Sequence, residues 1–241
     1  MVTKQPLTNV LLQAGHVVGN FMSQPLRLLS TLVFLTISLK LFAQTTQIDT
    51  SYYSYQTVSI LKKNYHGFLT ANGFKLLNSK NEIFLEHAGD YFSWEFKDFN
   101  KDGYKDIFLD HGGNTPGRFD LLLYIPATKS FRQIKDFESF PDPAEIIGTK
   151  YFYSYHRSGC ADMNWDSDLF YIKNYKAIRV ANISGCECGK SGIKDGLYIS
   201  RIRGEKKILF KTLPIETIYK NKGDKWKFIK VYWAKNNRFF M

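Results

Sequence analysis

The stretch "DFNKDGYKDIFLD" (98–110) decides how the rest of this chain reads. Side-chain oxygens fall at Asp98, Asn100, Asp102 and Asp106, and Gly103 stands where a loop that wraps an ion must bend. Alternate residues along a curled backbone point to one centre, so positions 1, 3 and 5 of the loop are all filled by oxygen donors. The carbonyl of Tyr104 offers another ligand, and Asp106 closes from the far side. Calcium takes six or more hard oxygens at about 2.3–2.6 Å, and the pattern predicts a Ca2+ site over 98–106. A polar hairpin turn that merely happens to be acidic is the plainer alternative.

An EF-hand would need a bidentate glutamate at position 12 and a helix on each side. Position 12 is Leu109, and the flanks "SWEF" (93–96) and "IFLD" (107–110) read as strands. A dockerin-like loop fails at the same residue, because the nearest acid, Asp110, comes one place late. The predicted ion therefore sits between two strands. Its work is structural: it neutralises clustered carboxylates and pins the strands, so that binding energy adds to folding energy. A second acidic run, "DMNWDSD" (162–168), alternates in the same way but has no glycine to turn on. A strand edge with an acidic face accounts for it as well as a second ion does.

Outward from the loop the chain reads as short strands. "FDLLLYI" (119–125) and "KSFRQI" (129–134) flank a turn that starts at Pro126. "DLFYIKNYKAIRVA" (168–181) predicts a hairpin turning at Lys173, Asn174 and Tyr175, and "GLYISRIRGEKKILFKTL" (196–213) another at Gly204 and Glu205. The tail "KWKFIKVYW" (225–233) alternates lysine with aromatic residues and predicts a half-buried strand with a solvated lysine face. Helical periodicity is weak throughout, with "SILKKNYHGFL" (59–69) the one exception. No Pro-, Gly- or Ser-rich linker divides the chain. The expectation is one all-β domain over 59–241, a propeller-like or sandwich array of short antiparallel strands.

The N-terminal region predicts export. "LLSTLVFLTISL" (28–39) is a short apolar block preceded by Arg27 and followed by Lys40, with Ala43 at the expected cut. It is too short for a membrane span, which needs about 20 apolar residues. Residues 1–43 thus read as a signal peptide, with Met22 an alternative start, and 44–58 as a flexible polar lead. A periplasmic or secreted protein with no stable membrane span is expected. The full chain carries a net charge of +11. Lys4, Arg27 and Lys40 lie in the signal and no acid does, which leaves 30 basic and 22 acidic residues, net +8. Such a balance favours acidic partners, and export excludes nucleic acid as the ordinary one.

In an oxidising compartment the three cysteines, Cys160, Cys186 and Cys188, predict a disulfide from Cys160 to one of the other two, with one thiol left over. A bridge of that span stabilises by roughly 3 kcal/mol in the loop-entropy model. Signatures of catalysis are missing: there is no G-x-S-x-G elbow, no H-E-x-x-H helix and no phosphate loop. His66, His87 and His111 are scattered singly, without ligand spacing. His156, Ser158, Cys160 and Asp162 lie close together, which a surface loop tied by a disulfide explains without chemistry. The chain reads as a binding protein, not an enzyme.

The succession "DFNKDGYKDIFLD", "LLLYIPATKSFRQI" (121–134) and "YFYSYHRSGCADMNWDSDLFYIKNYKAI" (151–178) resembles the calcium-loop blades of FG-GAP and VCBS proteins. More narrowly, it resembles a periplasmic group of invertebrate-type-lysozyme inhibitors and calcium-binding toxin-immunity proteins. The group's loop matches at Asp98, Asn100, Asp102, Gly103 and Asp106, and its "Y-x-P-x-x-x-x-F" turn at Tyr124, Pro126 and Phe131. The likeness spans about 91–180. It implies a propeller-like fold, a bound calcium ion and a lysozyme-like hydrolase as protein partner. The group's inhibitory serine-glycine loop falls at "SGCA" (158–161), with Ala161 where the group has tyrosine. A target-bound loop should carry exposed aromatics and a protruding turn, which makes Tyr155, His156, Arg157, Ser158 and Gly159 the candidate target-binding residues. Residues 185–241 have no counterpart there. A calcium-stabilised envelope module that binds glycan or protein and inhibits nothing is the alternative, with Tyr91 and Tyr104 as its candidate exposed aromatics.

Overall fold

The computed structural model describes residues 54–113, 117–189, 192–220 and 224–240. The predicted signal peptide (1–43) and most of the polar lead lie outside the described residues. The first sheet is a meander of β1 (Tyr55–Ile60), β2 (Lys63–Thr70), β3 (Gly73–Asn78) and β4 (Ile83–Ala88). The second is a meander of β5 (Ser93–Lys97), β6 (Asp106–Asp110), β7 (Phe119–Ile125) and β8 (Ser130–Gln133). The third takes β9 (Ala144–Glu145), β10 (Tyr151–Tyr153), β11 (His156–Gly159), β12 (Asn164–Lys173), β13 (Lys176–Cys186), β14 (Gly196–Arg203) and β15 (Lys206–Leu213). Its order is β15-β14-β13-β12-β10-β9, with β11 also paired to β12. All named strand pairings are antiparallel, as the alternating runs predicted.

Period-2 alternation explains why the second sheet is central. Ile107 and Leu109 of β6, with Leu122 and Tyr124 of β7, join a core that includes Leu69, Phe74 and Leu76 of the first sheet. Their neighbours Phe108, Leu121 and Leu123 point the other way, into a core shared with Phe152 and Phe170 of the third sheet. A strand buried on both faces must be apolar at every position, which is why "IFL" and "LLLYI" show no polar alternation. A parallel bridge from Lys135 to Lys176, with hydrogen bonds Lys135 N to Tyr175 O and Ala177 N to Lys135 O (each 2.9 Å), ties the segment after β8 to the start of β13 in the third sheet.

Three sequence expectations are corrected. Strand β1 begins at Tyr55, inside the stretch read as a flexible lead. The segment 59–69, read as the helical exception, is a hairpin: Leu61 and Lys62 both take left-handed backbone (φ 50° and 62°) and turn β1 into β2. The tail "KWKFIKVYW" is helix α1 (Lys225–Asn236), not a strand. Asp224 caps that helix by accepting from Lys227 N at 2.8 Å. Ile229 and Trp233, one helical turn apart, are its buried residues. The early lysine–aromatic alternation does not mark a sheet face, because Trp226 remains half exposed.

The hairpin turns expected after Lys173 and at Gly204 are in place. Cys160 is bonded to Cys188, and Cys186 is a buried free thiol. Among the described residues no helix is long and apolar enough to cross a membrane.

Candidate functional site

The acidic loop leaves β5 at Lys97 and enters β6 at Asp106, so its two ends are paired residues of one antiparallel ladder. Within it, side-chain oxygens gather round the amides of 102–104. Asp98 accepts from Asp102 N (3.2 Å) and Gly103 N (3.1 Å), Asn100 from Asp102 N (3.3 Å), and Asp102 from Tyr104 N (2.9 Å). Each oxygen so used keeps a lone pair, and Asn100 Nδ2 also donates to the Asp102 carboxylate at 2.9 Å. Lys101 (φ 61°) and Gly103 (φ 89°) supply the left-handed steps that curl requires, and a Cβ at Gly103 would meet nothing within 4 Å. Gly103 is thus needed for its backbone conformation and not to make room.

Asp106 is placed differently. It is fully buried, and its two carboxylate oxygens accept from Phe99 N (2.9 Å) and Tyr124 N (3.0 Å). One side chain thereby ties the loop to both β6 and β7. Burial pushes its carboxyl up to about 6, with the charges of Asp102 and Asp98 adding to the rise and the two backbone donors opposing it. Tyr104 packs its ring on Tyr124 at 5.5 Å, which leaves its carbonyl as the group it can offer an ion. The donor set is carboxylate, amide and carbonyl oxygen, which suits a hard cation such as calcium. The three loop carboxylates do not stand within 4.8 Å of one another; among the described residues that spacing is met by His111, Asp120 and Glu138.

The second locus is the turn between β11 and β12. Tyr155 is not an exposed anchor: it is buried, and its hydroxyl donates to the Asp162 carboxylate. His156 and Ser158 are half-buried on the strand, while Arg157 and Gly159 are exposed. Beyond them Cys160, Ala161 and Asp162 all have positive φ (57°, 47° and 73°). Three successive non-glycine residues in that region cost about 1 kcal/mol or more each. The turn is held there by the Cys160–Cys188 bridge and by Lys225 of α1, whose Nζ donates to Asp162 O at 2.8 Å and to its carboxylate. Arg157, Ala161 and Met163 are exposed on or beside this strained turn.

Burial works to raise the Asp162 carboxyl, but hydrogen bonds from Lys225 and Tyr155, then the charges of Lys225 and Arg157, outweigh it and hold the pKa low. A depressed folded value stabilises above the ordinary aspartate pKa and is lost as pH falls through the folded one. Lys225→Met is therefore expected to cost about 1–2 kcal/mol at neutral pH. The gap between variant and parent should close as denaturation is repeated at pH values below about 4. An unchanged gap down to full protonation would mean that the lysine acts through packing alone.

The run "DMNWDSD" does not form a solvated acidic edge. From Asn164 it lies in β12, paired on both sides. Asp168 is buried, 3.0 Å from Arg179 Nη2 and 2.8 Å from Asn182 Nδ2. Burial raises its pKa, and Arg179 and Asn182 oppose the rise. Asp166 accepts from Ser184 and Asn182, and Lys207 bonds Asn182 Oδ1 at 2.7 Å. These carboxylates already have protein partners, so the alternation reflects a polar seam across β12–β15.

Sequence spacing missed one constellation. His87 and His111, read as isolated, both face Asp120, which also accepts from the Tyr91 hydroxyl at 2.6 Å. Tyr91 is consequently a half-buried network residue and not part of an exposed aromatic row. Nothing in the local sequence announces this, because the residues come from different strands and loops.

Together, the fold and the loop define an all-β protein built round an oxygen-lined turn between two strands. No family model matches the chain, and no curated protein matches it. Among solved structures, one titled "Structure of a Xanthomonas Type IV Secretion System related protein" is similar over 66% of this chain and 86% of that one, at 12% identity and a TM-score of 0.39. A likeness that weak adds nothing to the case for fold or function.

Proposed function

We propose that this chain is an exported, calcium-stabilised binding protein that inhibits a lysozyme-type, peptidoglycan-degrading enzyme. The observation that carries the reading is the 98–106 loop, where the side-chain oxygens of Asp98, Asn100 and Asp102 gather on the amides of one tight turn. Asp98, Asn100, Asp102, the Tyr104 carbonyl and Asp106 would hold the ion, and Asp106 also braces the loop against β7. When bound, calcium supplies positive charge that offsets the clustered carboxylates; it takes no part in bond making. Export rests on the apolar block at 28–39 and accords with the disulfide.

Recognition is assigned to the strained turn at 157–163, whose bracing holds Arg157, Ala161 and Met163 in one arrangement before any partner arrives. Preorganisation of that kind lowers the entropic cost of binding. A net charge of +8 after signal removal favours an acidic target enzyme. The test is a panel of lysozyme-type hydrolases, acidic ones included, assayed with calcium-loaded protein. Stoichiometric inhibition of an acidic member is expected, and Arg157→Glu should weaken it by tenfold or more, about 1.4 kcal/mol. Inhibition of no member sinks the reading. The burial of Tyr155 and the alanine at 161 favour the second reading in that event: a calcium-stabilised envelope module that binds protein or glycan without blocking an active site.

A further inference from the structure

We infer that His111, Asp120 and Glu138 form a second metal site, for a zinc-like divalent cation, with His87 bonded to Asp120 behind it. His87 lies on β4 of the first sheet, while His111 directly follows β6 and Asp120 lies on β7 of the second. Glu138 lies in the short 3-10 turn Phe137–Ser139 that leads toward the third sheet. The ligand atoms of His111, Asp120 and Glu138 all lie within 4.8 Å of one another. His87 Nε2 hydrogen-bonds Asp120 Oδ2 at 3.4 Å, and His111 Nε2 approaches Asp120 Oδ1 at 3.3 Å.

The His111–Asp120 distance points to shared coordination. A hydrogen bond between a charged donor and a carboxylate closes to about 2.7–2.9 Å. Two ligands on one tetrahedral ion, each bonded at about 2.0–2.1 Å, stand about 3.3–3.4 Å apart. His111 Nε2 is buried and, despite its nearness to Asp120, makes no hydrogen bond of acceptable geometry. It is a nitrogen aimed at a carboxylate without bonding it.

The donor chemistry separates this site from the acidic loop. One imidazole and two carboxylates form a nitrogen–oxygen set suited to zinc and its first-row neighbours, with a fourth position for water, whereas the loop offers oxygen alone. The two carboxylates neutralise a divalent charge. Tyr91 donates to Asp120 Oδ2 at 2.6 Å, the kind of outer hydrogen bond that orients a metal-binding carboxylate. Asp120 is buried, and Glu138 is exposed and opens a path from solvent. Because His111 and Asp120 come from the second sheet and Glu138 from the segment beyond it, the ion would act as a strap between them, and its binding energy would add to folding energy.

The experiment uses the purified full chain saturated with calcium, so that the acidic loop is already satisfied, and titrates it with zinc and with cobalt(II) as a spectroscopic stand-in. One equivalent of zinc should bind, and one equivalent of cobalt should give the intense visible absorption of tetrahedral coordination, bleached by zinc. His111→Gln should weaken binding by about 100-fold, and His87→Gln and Tyr91→Phe, which keep every ligand, each by about tenfold. Asp102→Ala should leave zinc affinity unchanged, which separates this site from the calcium loop. Circular dichroism and a thermal melt check that each variant is folded. Failure to take up one equivalent, a cobalt spectrum of octahedral type, or unchanged affinity in folded His111→Gln and Tyr91→Phe would overturn the assignment.

Discussion

Replacing Trp233 with alanine is expected to lower the free energy of unfolding by about 3–5 kcal/mol, the range for deleting a fully buried large aromatic side chain. Trp233 has no exposed surface and packs in the core that contains Trp165, Leu169, Ile183 and Ile199 of the third sheet. Its indole Nε1 donates to Ser167 Oγ at 2.8 Å, and that hydroxyl in turn donates to Ser154 O at 2.6 Å. Truncation thus opens a cavity and removes a hydrogen bond from a buried chain. For a domain of this size the midpoint should fall by about 6–20 °C. Urea unfolding at constant slope checks the value, and Ile229→Ala should act in the same direction with a smaller loss. A loss below about 1 kcal/mol for Trp233→Ala would mean that the helix does not pack on the sheet as described.

Calcium is expected to stabilise the protein by about 2.7 kcal/mol at a hundredfold excess over its dissociation constant, which raises the midpoint by about 5–10 °C. The gain has two sources in the loop. The ion offsets the mutual repulsion of Asp98, Asp102 and the buried Asp106, and it consolidates a turn whose ends are already paired across β5 and β6. Thermal unfolding with calcium, with chelator and with magnesium measures it directly. Asp102→Ala should abolish the shift, because it removes a ligand and the acceptor for Tyr104 N together. Asp102→Asn separates the two effects, since it can keep the hydrogen bond while losing the charge. Midpoints that coincide in calcium and chelator for the parent chain would reduce the loop to an acidic hairpin turn, and the inhibitor reading would lose its main support.

Legibility was uneven along the chain, and the pattern has a physical cause. Hairpins such as β12–β13 and β14–β15 were readable because strand runs and turn residues are neighbours in sequence: Asn174 and Tyr175 take left-handed backbone where the turn was expected. The tail was misread because its first four residues alternate. The decisive Ile229/Trp233 pair matters only once a sheet exists to receive it. Tyr155 was expected at the surface because an aromatic beside a glycine-containing turn suits a binding loop. Its burial depends on Trp226, whose ring lies 4.0 Å away, and on Lys225, both some 70 residues further along the chain.

Some features of this protein were determined locally. Strand character, the antiparallel hairpins and the ordering of oxygens in 98–106 follow from side-chain alternation and from where left-handed backbone is accessible. The tertiary structure alone decided which faces of β6 and β7 meet which sheet, that Cys160 pairs with Cys188, and that the tail is a helix. It also decided that His87, His111 and Asp120 converge, although they are spread over 34 residues of chain. Contacts between residues far apart in sequence are chosen by burial of apolar surface over the whole domain, and the local pattern carries no record of that choice.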